Sequence, residues 1–438
     1  MEILGNGPIL TFDPDRPFIE DGAVAHEDGV IVELGSTADL RTKHVGATYR
    51  DREGYLLMPG LVNLHTHLYG SLARGMALKD PPPGNFLEIL ERLWWRLDRK
   101  LDAEAIRASA MVGLIDALMA GCTTLFDHHA SPAAIPGSLD LLEECFEKVG
   151  LRGCLCYEVS DRDGEERALE GIRENARYLT KARSERFGAA FGLHASFTVG
   201  NATLDAVAGA LPAGAGVHVH VAEDASDARL SAIRHGGTPV ARLAERKLLG
   251  PNALLAHAVH VPDSEWGELS SSHSTVVHNP CSNMNNAVGA LKLEKLLGAG
   301  VRVALGTDGY TASMLDEHAV AGILARHVSV HPGAGWASAL ELLTGANPAV
   351  ASRFFPRPVG RIAPGCAADM ITVRYFPPTP MSAANLGGHL LFGIARAPVD
   401  LVIVAGDLVA RGGEPTRVDR REVFAQARDT ARKLWARF

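Results

Sequence analysis

Eight short apolar runs between residues 61 and 308 constrain this chain more than any other feature. They are LVNLH (61–65), CTTLFD (122–127), GCLCYEV (153–159), AAFGLH (189–194), GVHVHV (216–221), ALLAH (253–257), TVVH (275–278) and VRVALGTD (301–308). Between most of them lie stretches such as AEAIRASAMVGLIDALMAG, with apolar residues at helical spacing. Eight strand–helix repeats over about 300 residues is the count of an α/β fold of (β/α)8, TIM-barrel type. A doubly wound open sheet also alternates this way and is the competing architecture. The runs share a second regularity: they end in or just before His65, Asp127-His128-His129, Glu158, His194, His220, His257, His278 and Asp308. Barrel enzymes carry their catalytic groups at the C-terminal ends of the strands. Histidines scattered through a core would not fall there run after run.

The flanks read differently. The first sixty residues (EILGNGPILTF, GAVAHEDGVIVELG, GATYRDREGYLLMPG) and the segments ADMITVRYF and VDLVIVAGDLVARGG near the other end are short strands punctuated by turn residues. The expectation is a smaller composite β-sandwich domain built from residues 1–58 and 361–420, a barrel over 59–360, and a C-terminal helix over 421–438.

Composition removes several classes of function. Hydrophobic content of 47% and charged content of 21% are those of an ordinary globular protein. A net charge of −8 without a basic run argues against nucleic acid and anionic membrane as partners. No apolar run is long enough to span a bilayer, and MEILGNGPILTF lacks the layout of a signal peptide. Six scattered cysteines (Cys122, Cys145, Cys154, Cys156, Cys281, Cys366) read as reduced core thiols, which points to the cytoplasm.

His65 and His67 form H-x-H at the end of the first run, and residues i and i+2 of a strand point to one side. Alone this pair is a weak signal. With His220 and Asp308 from the fifth and eighth run ends it makes three imidazoles and one carboxylate. That set suits one divalent ion, zinc first and iron second, with a position left for water. His218 forms a second H-x-H with His220, but it lies one pleat deeper and reads as a buried, hydrogen-bonded core histidine. Hydrolysis also needs a group that takes a proton from water and returns it to the leaving group. Glu223, three residues past His220, is placed for that, although the acidic stretch AEDASD also fits a solvated surface. His257 can polarise the substrate or hold the water, and Asp308 can serve as both ligand and base.

These residues carry a resemblance. PGLVNLHTH, HVAE, LLAHAVH, HNPCSNM, LGTDG and RIAPGCAADMITV are similar to the motif series of the amidohydrolase superfamily, in its deaminase and chlorohydrolase branch. LARGMALKDPPPGNFLEILERLWWRLD, DHHASP and GTDGYT resemble the SsnA-type aminohydrolases within it. The resemblance implies that His65, His67, His220 and Asp308 bind metal, that Glu223 and His257 are catalytic, and that His194 lines the substrate pocket. It also implies a single ion. Dinuclear members bridge two ions with a modified lysine on a middle strand, and GCLCYEV and AAFGL contain none.

The substrate side is less legible. Candidates are His194, His278, Asn279, His128, Trp95 and Arg74, with His129, Trp94 and Ser282 beside them. The Trp94–Trp95 pair could stack on a flat heterocycle, but its place in FLEILERLWWRL fits ordinary helix packing better. Asn279 could read a ring edge or merely cap a loop, and Arg74 could bind an anion or sit in a surface ion pair. The expected activity is hydrolytic deamination of an amino-substituted heterocycle of purine or pterin type. Ring opening of a cyclic amide and a non-catalytic scaffold are the alternatives. The expected partner is a small heterocyclic molecule, and the expected assembly a homo-oligomer, dimer or larger.

Overall fold

The eight runs fold into a closed, all-parallel barrel. The structure is a computed structural model that describes residues 1–438. Strands Leu61–Thr66, Cys122–His129 and Arg152–Tyr157 pair in sequence order, and Arg152–Tyr157 continues to Phe187–Ala189. Phe191–Ala195 opens the second half, followed by Val217–Val221, Leu254–His257, Thr275–His278 and Arg302–Leu305. The fourth strand is therefore one run interrupted at Ala190. A parallel bridge between Thr66 and Asp308 closes the ring. Closure demands a glycine at position 306, where a Cβ would lie 2.5 Å from Asn279 Oδ1 and 2.8 Å from His65 Cβ.

The outer helices follow from local sequence. Glu165–Thr180 buries Ala168, Gly171, Ile172, Asn175 and Tyr178, a stripe at spacings of three and four, and leaves its charged residues outside apart from Glu174, which bonds Leu139 N and Arg177. Ala103–Met119 starts where the Asp102 side chain accepts from Ala105 N, and stops at Gly121, whose φ of +82° favours glycine. Its Ser109 hydroxyl bonds the carbonyls of Leu68 and Tyr69, fixing the turn that follows the first strand. None of the helices is long and apolar enough to cross a membrane.

Outside the barrel, a seven-stranded sheet runs in the order Glu414–Pro415, Asp407–Arg411, Val399–Val404, Met370–Val373, Leu56–Pro59, Ile9–Leu10, Phe18–Ile19. Strands from both ends of the sequence thus meet in one sheet, where Met370–Val373 pairs antiparallel with Leu56–Pro59. A four-stranded sheet of residues from 2 to 51 packs on it through Leu4, Val24, Ile31, Leu57, Met370 and Ile403. One feature absent from the strand reading is a helix at Thr37–Lys43, capped by Ser36. The Arg152 guanidinium, at the start of the third barrel strand, makes a buried two-pronged ion pair with Asp369 at 2.9 and 3.2 Å, joining barrel to sheet. The last helix, Arg420–Ala436, lies against Ala103–Met119, and Trp435 Nε1 donates to Leu72 O at 2.8 Å.

Candidate active site

Strands one, five, six and eight deliver their ionisable ends to one point. His67 Nε2 lies 3.1 Å from His220 Nε2 and 3.1 Å from Asp308 Oδ1, and His65 Nε2 lies 3.8 Å from the same oxygen. The backbone turns sharply to do this. Ala222, His257 and Asp308 all have positive φ, at 45°, 74° and 55°. Such non-glycine strain costs of order 1–3 kcal/mol and persists only where the surroundings impose it. Here Ala222 N is held by Asp227 Oδ2 at 2.6 Å, and Asp308 N by His65 O at 2.9 Å.

The outer ring nitrogens assign the tautomers. His67 Nδ1 faces the carbonyl of His128 at 2.6 Å and His220 Nδ1 that of His194 at 2.8 Å, so each must donate there. In their neutral forms both Nε2 atoms carry lone pairs, 3.1 Å apart and with no hydrogen between them. His65 Nδ1 donates to His218 Nε2 at 2.9 Å, leaving His65 Nε2 buried without a partner. His218 Nδ1 in turn faces the sulfur of Cys156 at 3.8 Å, and the Cys156 thiol donates to Asp127 O. Three lone pairs and the carboxylate of Asp308 converging in a buried place repel one another unless a cation lies among them, so the donor set fits a divalent ion. A second convergent group, His67, His128, Glu158 and His220, uses two of the same imidazoles. With their outer nitrogens committed to carbonyls, His67 and His220 have one lone pair each, so the two groups cannot be filled together.

His257 differs from the other three. Its Nδ1 accepts from the Asn283 amide at 2.7 Å, so its Nε2 carries the hydrogen. That hydrogen is aimed at Glu223 Oε2, 3.5 Å away, and Asp308 Oδ2, 3.8 Å away. Burial pushes the His257 imidazole down to about 4, so the ring is neutral. Burial, with Asp308 beside it, raises the Glu223 carboxyl well above the usual range. Asp308 moves the other way: burial works against its charge, but a protonated His67, raised to about 9 by this carboxylate in spite of its own burial, hydrogen-bonds it and holds it well below the usual range. Ser282 Oγ also donates to Asp308 Oδ2 at 2.5 Å. Two neighbouring carboxyl groups pushed in opposite directions are the arrangement that acid–base chemistry requires.

A cleft whose free space, counted out into the solvent at its mouth, is about 820 Å³ opens onto this centre. Of the substrate candidates, His194 and Trp95 line it, as do Trp94 and Ser282. Arg74 does not: it is exposed and paired with Asp116 at 2.5 Å on the far side of the Leu68–Ala73 turn. His278 and Asn279 do not either. Both are fully buried beneath the rim, and the Asn279 amide donates to Val277 O. His128 is buried behind the ligand set, with Nδ1 at 3.2 Å from Glu158 and Nε2 donating to His218 O. His129 bonds Ser131 and also lies off the cavity. The walls include residues that sequence reasoning passed over, among them Phe86, Asp98, Glu158, Phe197, Asn286 and Tyr310. Asn286 was within reach, since it follows Ser282 by one helical turn and its amide bonds Glu223 Oε1. Glu158 ends the third run, where it was counted among the ionisable strand ends but given no role; the others come from loops and insertions that carry no period.

Residues 56–409 match the amidohydrolase family, and residues 22–44 the bacterial imidazolonepropionase-like composite domain. The chain belongs to the amidohydrolase family. This amidohydrolase is 30% identical over 443 residues to the 5'-deoxyadenosine deaminase of Methanosarcina mazei, covering 99% of this chain and 98% of that protein. It is 32% identical over 420 residues to the 5-methylthioadenosine/S-adenosylhomocysteine deaminase of Desulforudis audaxviator, covering 94% and 95%. An adenosine deaminase from Xanthomonas campestris, crystallised with bound zinc, shares the fold with a TM-score of 0.86 at 24% identity, over 99% of this chain and 98% of that one. The deaminase and chlorohydrolase branch is where these likenesses put the amidohydrolase, a hydrolase of C–N bonds.

Proposed function

We propose that this amidohydrolase is a hydrolytic deaminase of an amino-substituted, purine-type heterocycle, releasing ammonia. The observation that carries the reading is geometric: Glu223 and Asp308 set their carboxyl oxygens 3.5 and 3.8 Å from His257 Nε2, beside the converged Nε2 atoms of His67 and His220. The names of the full-length relatives, both adenosine-type deaminases, support the substrate class. His65, His67, His220 and Asp308 would hold one divalent ion, zinc first and iron second. Such an ion, when bound, supplies Lewis-acid activation of water. The protein's own groups do the rest. The neutral His257 donates its Nε2 hydrogen toward the incoming oxygen. Asp308 would accept one proton of the attacking water. Glu223 would give its proton to the ring nitrogen, take up the proton of the added hydroxyl and pass it to the departing amine. The proton held by Asp308 would then restore Glu223. His194 and Trp95 would contact the substrate.

The same reading keeps a cytoplasmic homo-oligomer. The six unpaired cysteines support a reducing compartment. The exposed pair Trp336 and Phe392, 5.9 Å apart, is the apolar surface that supports self-association. The division into a composite domain (1–58 and 361–420), a barrel (59–360) and a terminal helix (421–438) belongs to it too. The sheet joining strands from both ends supports it.

The test is an ammonia-release screen of metal-loaded protein over purines, pterins, pyrimidines and triazines. One ammonia per turnover from a purine-type compound is expected. Ring opening without ammonia would overturn deamination in favour of cyclic-amide hydrolysis.

A further inference from the structure

The cavity wall beside the proposed ion site contains a charged cluster that the mechanism leaves idle, running from Glu158, within 4.8 Å of His67 and His220, out to Asp98 and Arg162. Asp98 ends the helix Trp95–Asp98, Glu158 follows the third barrel strand, and Arg162 sits in the turn Asp161–Asp163. Their side chains are 2%, 3% and 6% exposed. Arg162 Nη2 donates to Asp98 Oδ2 at 2.9 Å and to Glu158 Oε1 at 3.3 Å, and its Nε donates to Ser160 Oγ at 3.0 Å. The flat guanidinium stacks on Trp95 at 5.0 Å. Only a planar fork can reach both carboxylates while stacking in this way.

Arg162 Nη1 is also left without a partner, but Arg162 does not line the cavity; on the residues that do, the atoms left over are mostly acceptors. Asp98 Oδ1 is buried without a partner. His194 Nδ1 donates to Thr198 Oγ1 at 2.5 Å, because the Thr198 hydroxyl is itself committed to Ala195 O. His194 Nε2 therefore offers a lone pair, 3.7 Å from Glu158 Oε1, with no hydrogen between them. Trp95 Nε1 is the one unpartnered donor among the cavity-lining residues of this wall. Unmade hydrogen bonds of buried polar atoms are costly, and a ligand bringing N–H groups removes that cost.

We propose that Arg162 is a positioning residue that holds Asp98 and Glu158 as an acceptor wall, and that this wall selects heterocycles presenting N–H donors beyond the departing amine. The proposal rests on the deaminase reading for its substrate class. It extends that reading by naming which edge of the substrate is read and by what.

Four probes separate the possibilities on metal-loaded protein: 9-methyladenine, with no N–H beyond the departing amine; adenine, with one; guanine, with two; and 5'-deoxyadenosine, whose donors are sugar hydroxyls. Ammonia release and calorimetric affinity are measured for each. The expected result is an affinity and kcat/KM gain of about tenfold per N–H donor. Arg162→Met should flatten that gradient, raising KM for guanine about tenfold or more while kcat moves only a few-fold and metal content stays unchanged. Arg162→Lys should restore part of it. Asp98→Asn, nearly isosteric, should weaken guanine about tenfold and leave 9-methyladenine alone, which keeps the test alive if Arg162→Met fails to fold. Equal binding of 9-methyladenine and guanine, a gradient that survives both variants, or a preference for 5'-deoxyadenosine over guanine overturns the proposal. Equal ammonia release from all four probes leaves deamination standing and removes the wall. A binding gradient without ammonia from any probe does the reverse.

Discussion

At one end of the cavity His65, His67, His220, His257 and Asp308 leave barrel strands within a few residues of their ends, and their outer atoms are bonded to carbonyls, to the His218 imidazole, to an asparagine amide or to a serine hydroxyl. At the other end Phe86, Trp95 and Asp98 come from the helical insertion 86–98, and Arg162 from a three-residue turn. The insertion contains a π-helical segment, Leu90–Trp94, a geometry often found at functional sites. The first end is held by the hydrogen-bond ladder of the barrel itself. The second is held largely by side chains bonding one another. Change at the first end should therefore cost chemistry, and change at the second should cost recognition.

The largest break in that contrast is Glu223→Gln. The amide is nearly isosteric, and Glu223 is not proposed as a ligand, so metal content should remain. Loss of proton transfer should lower kcat by about 10²–10⁴-fold, roughly 3–5 kcal/mol of transition-state stabilisation. Steady-state kinetics with metal analysis checks both halves, and wild-type turnover would move the proton chemistry to Asp308 or His257. Next comes Asn283→Leu, which removes the donor that fixes the His257 tautomer. A fall in kcat of roughly tenfold or more, with metal retained, is expected. An effect on KM alone would make His257 a binding group.

The opposite end should respond in the other parameter. Trp95→Phe keeps the ring against Arg162 and deletes the unpartnered N–H. KM should rise by roughly 3–10-fold with kcat nearly constant. A matching drop in kcat would erase the division between the two ends.

The last effect concerns the layer behind the metal end and is read on stability rather than on turnover. Glu317, fully buried on the helix Met314–Ser329, accepts from Cys281 N at 3.2 Å, next to the serine that bonds Asp308. Burial pushes its carboxyl up to about 8. Between the unfolded value near 4.5 and that figure, the folded protein binds more protons than the unfolded chain. Stability from this group is therefore lost as pH rises through that window. Glu317→Gln should unfold at higher temperature than wild type at pH 8, by an increment of order 1–4 kcal/mol that shrinks toward pH 5. An increment independent of pH would show that the wild-type carboxyl is not the source.

The same contrast explains what could be read in advance. The barrel was legible because each strand is a short apolar run, and the rim because strand ends fall at countable positions: His65, His220, His257 and Asp308 needed only that count. The choice of His220 over His218 followed from depth along one strand, and the structure puts His218 one layer down, where it accepts from His65. Arg74, His278, Asn279 and His128 were misdirected as substrate contacts because a motif's neighbourhood in sequence says nothing of which way a loop turns or which side of a rim a residue occupies. Asp98 and Arg162 were passed over because their pairing spans 64 residues and exists only after the insertion folds across the barrel mouth. The Thr37–Lys43 helix escaped for a simpler reason: at two turns it is too short for its period to stand out among strands.

The central claim, one ion held by His65, His67, His220 and Asp308, is tested most directly by metal analysis of three proteins purified alike: wild type, His220→Ala and His218→Ala. The account predicts about one divalent ion per chain in wild type, most of it lost in His220→Ala and retained in His218→Ala under saturating metal. Full occupancy in His220→Ala with depletion in His218→Ala would contradict it.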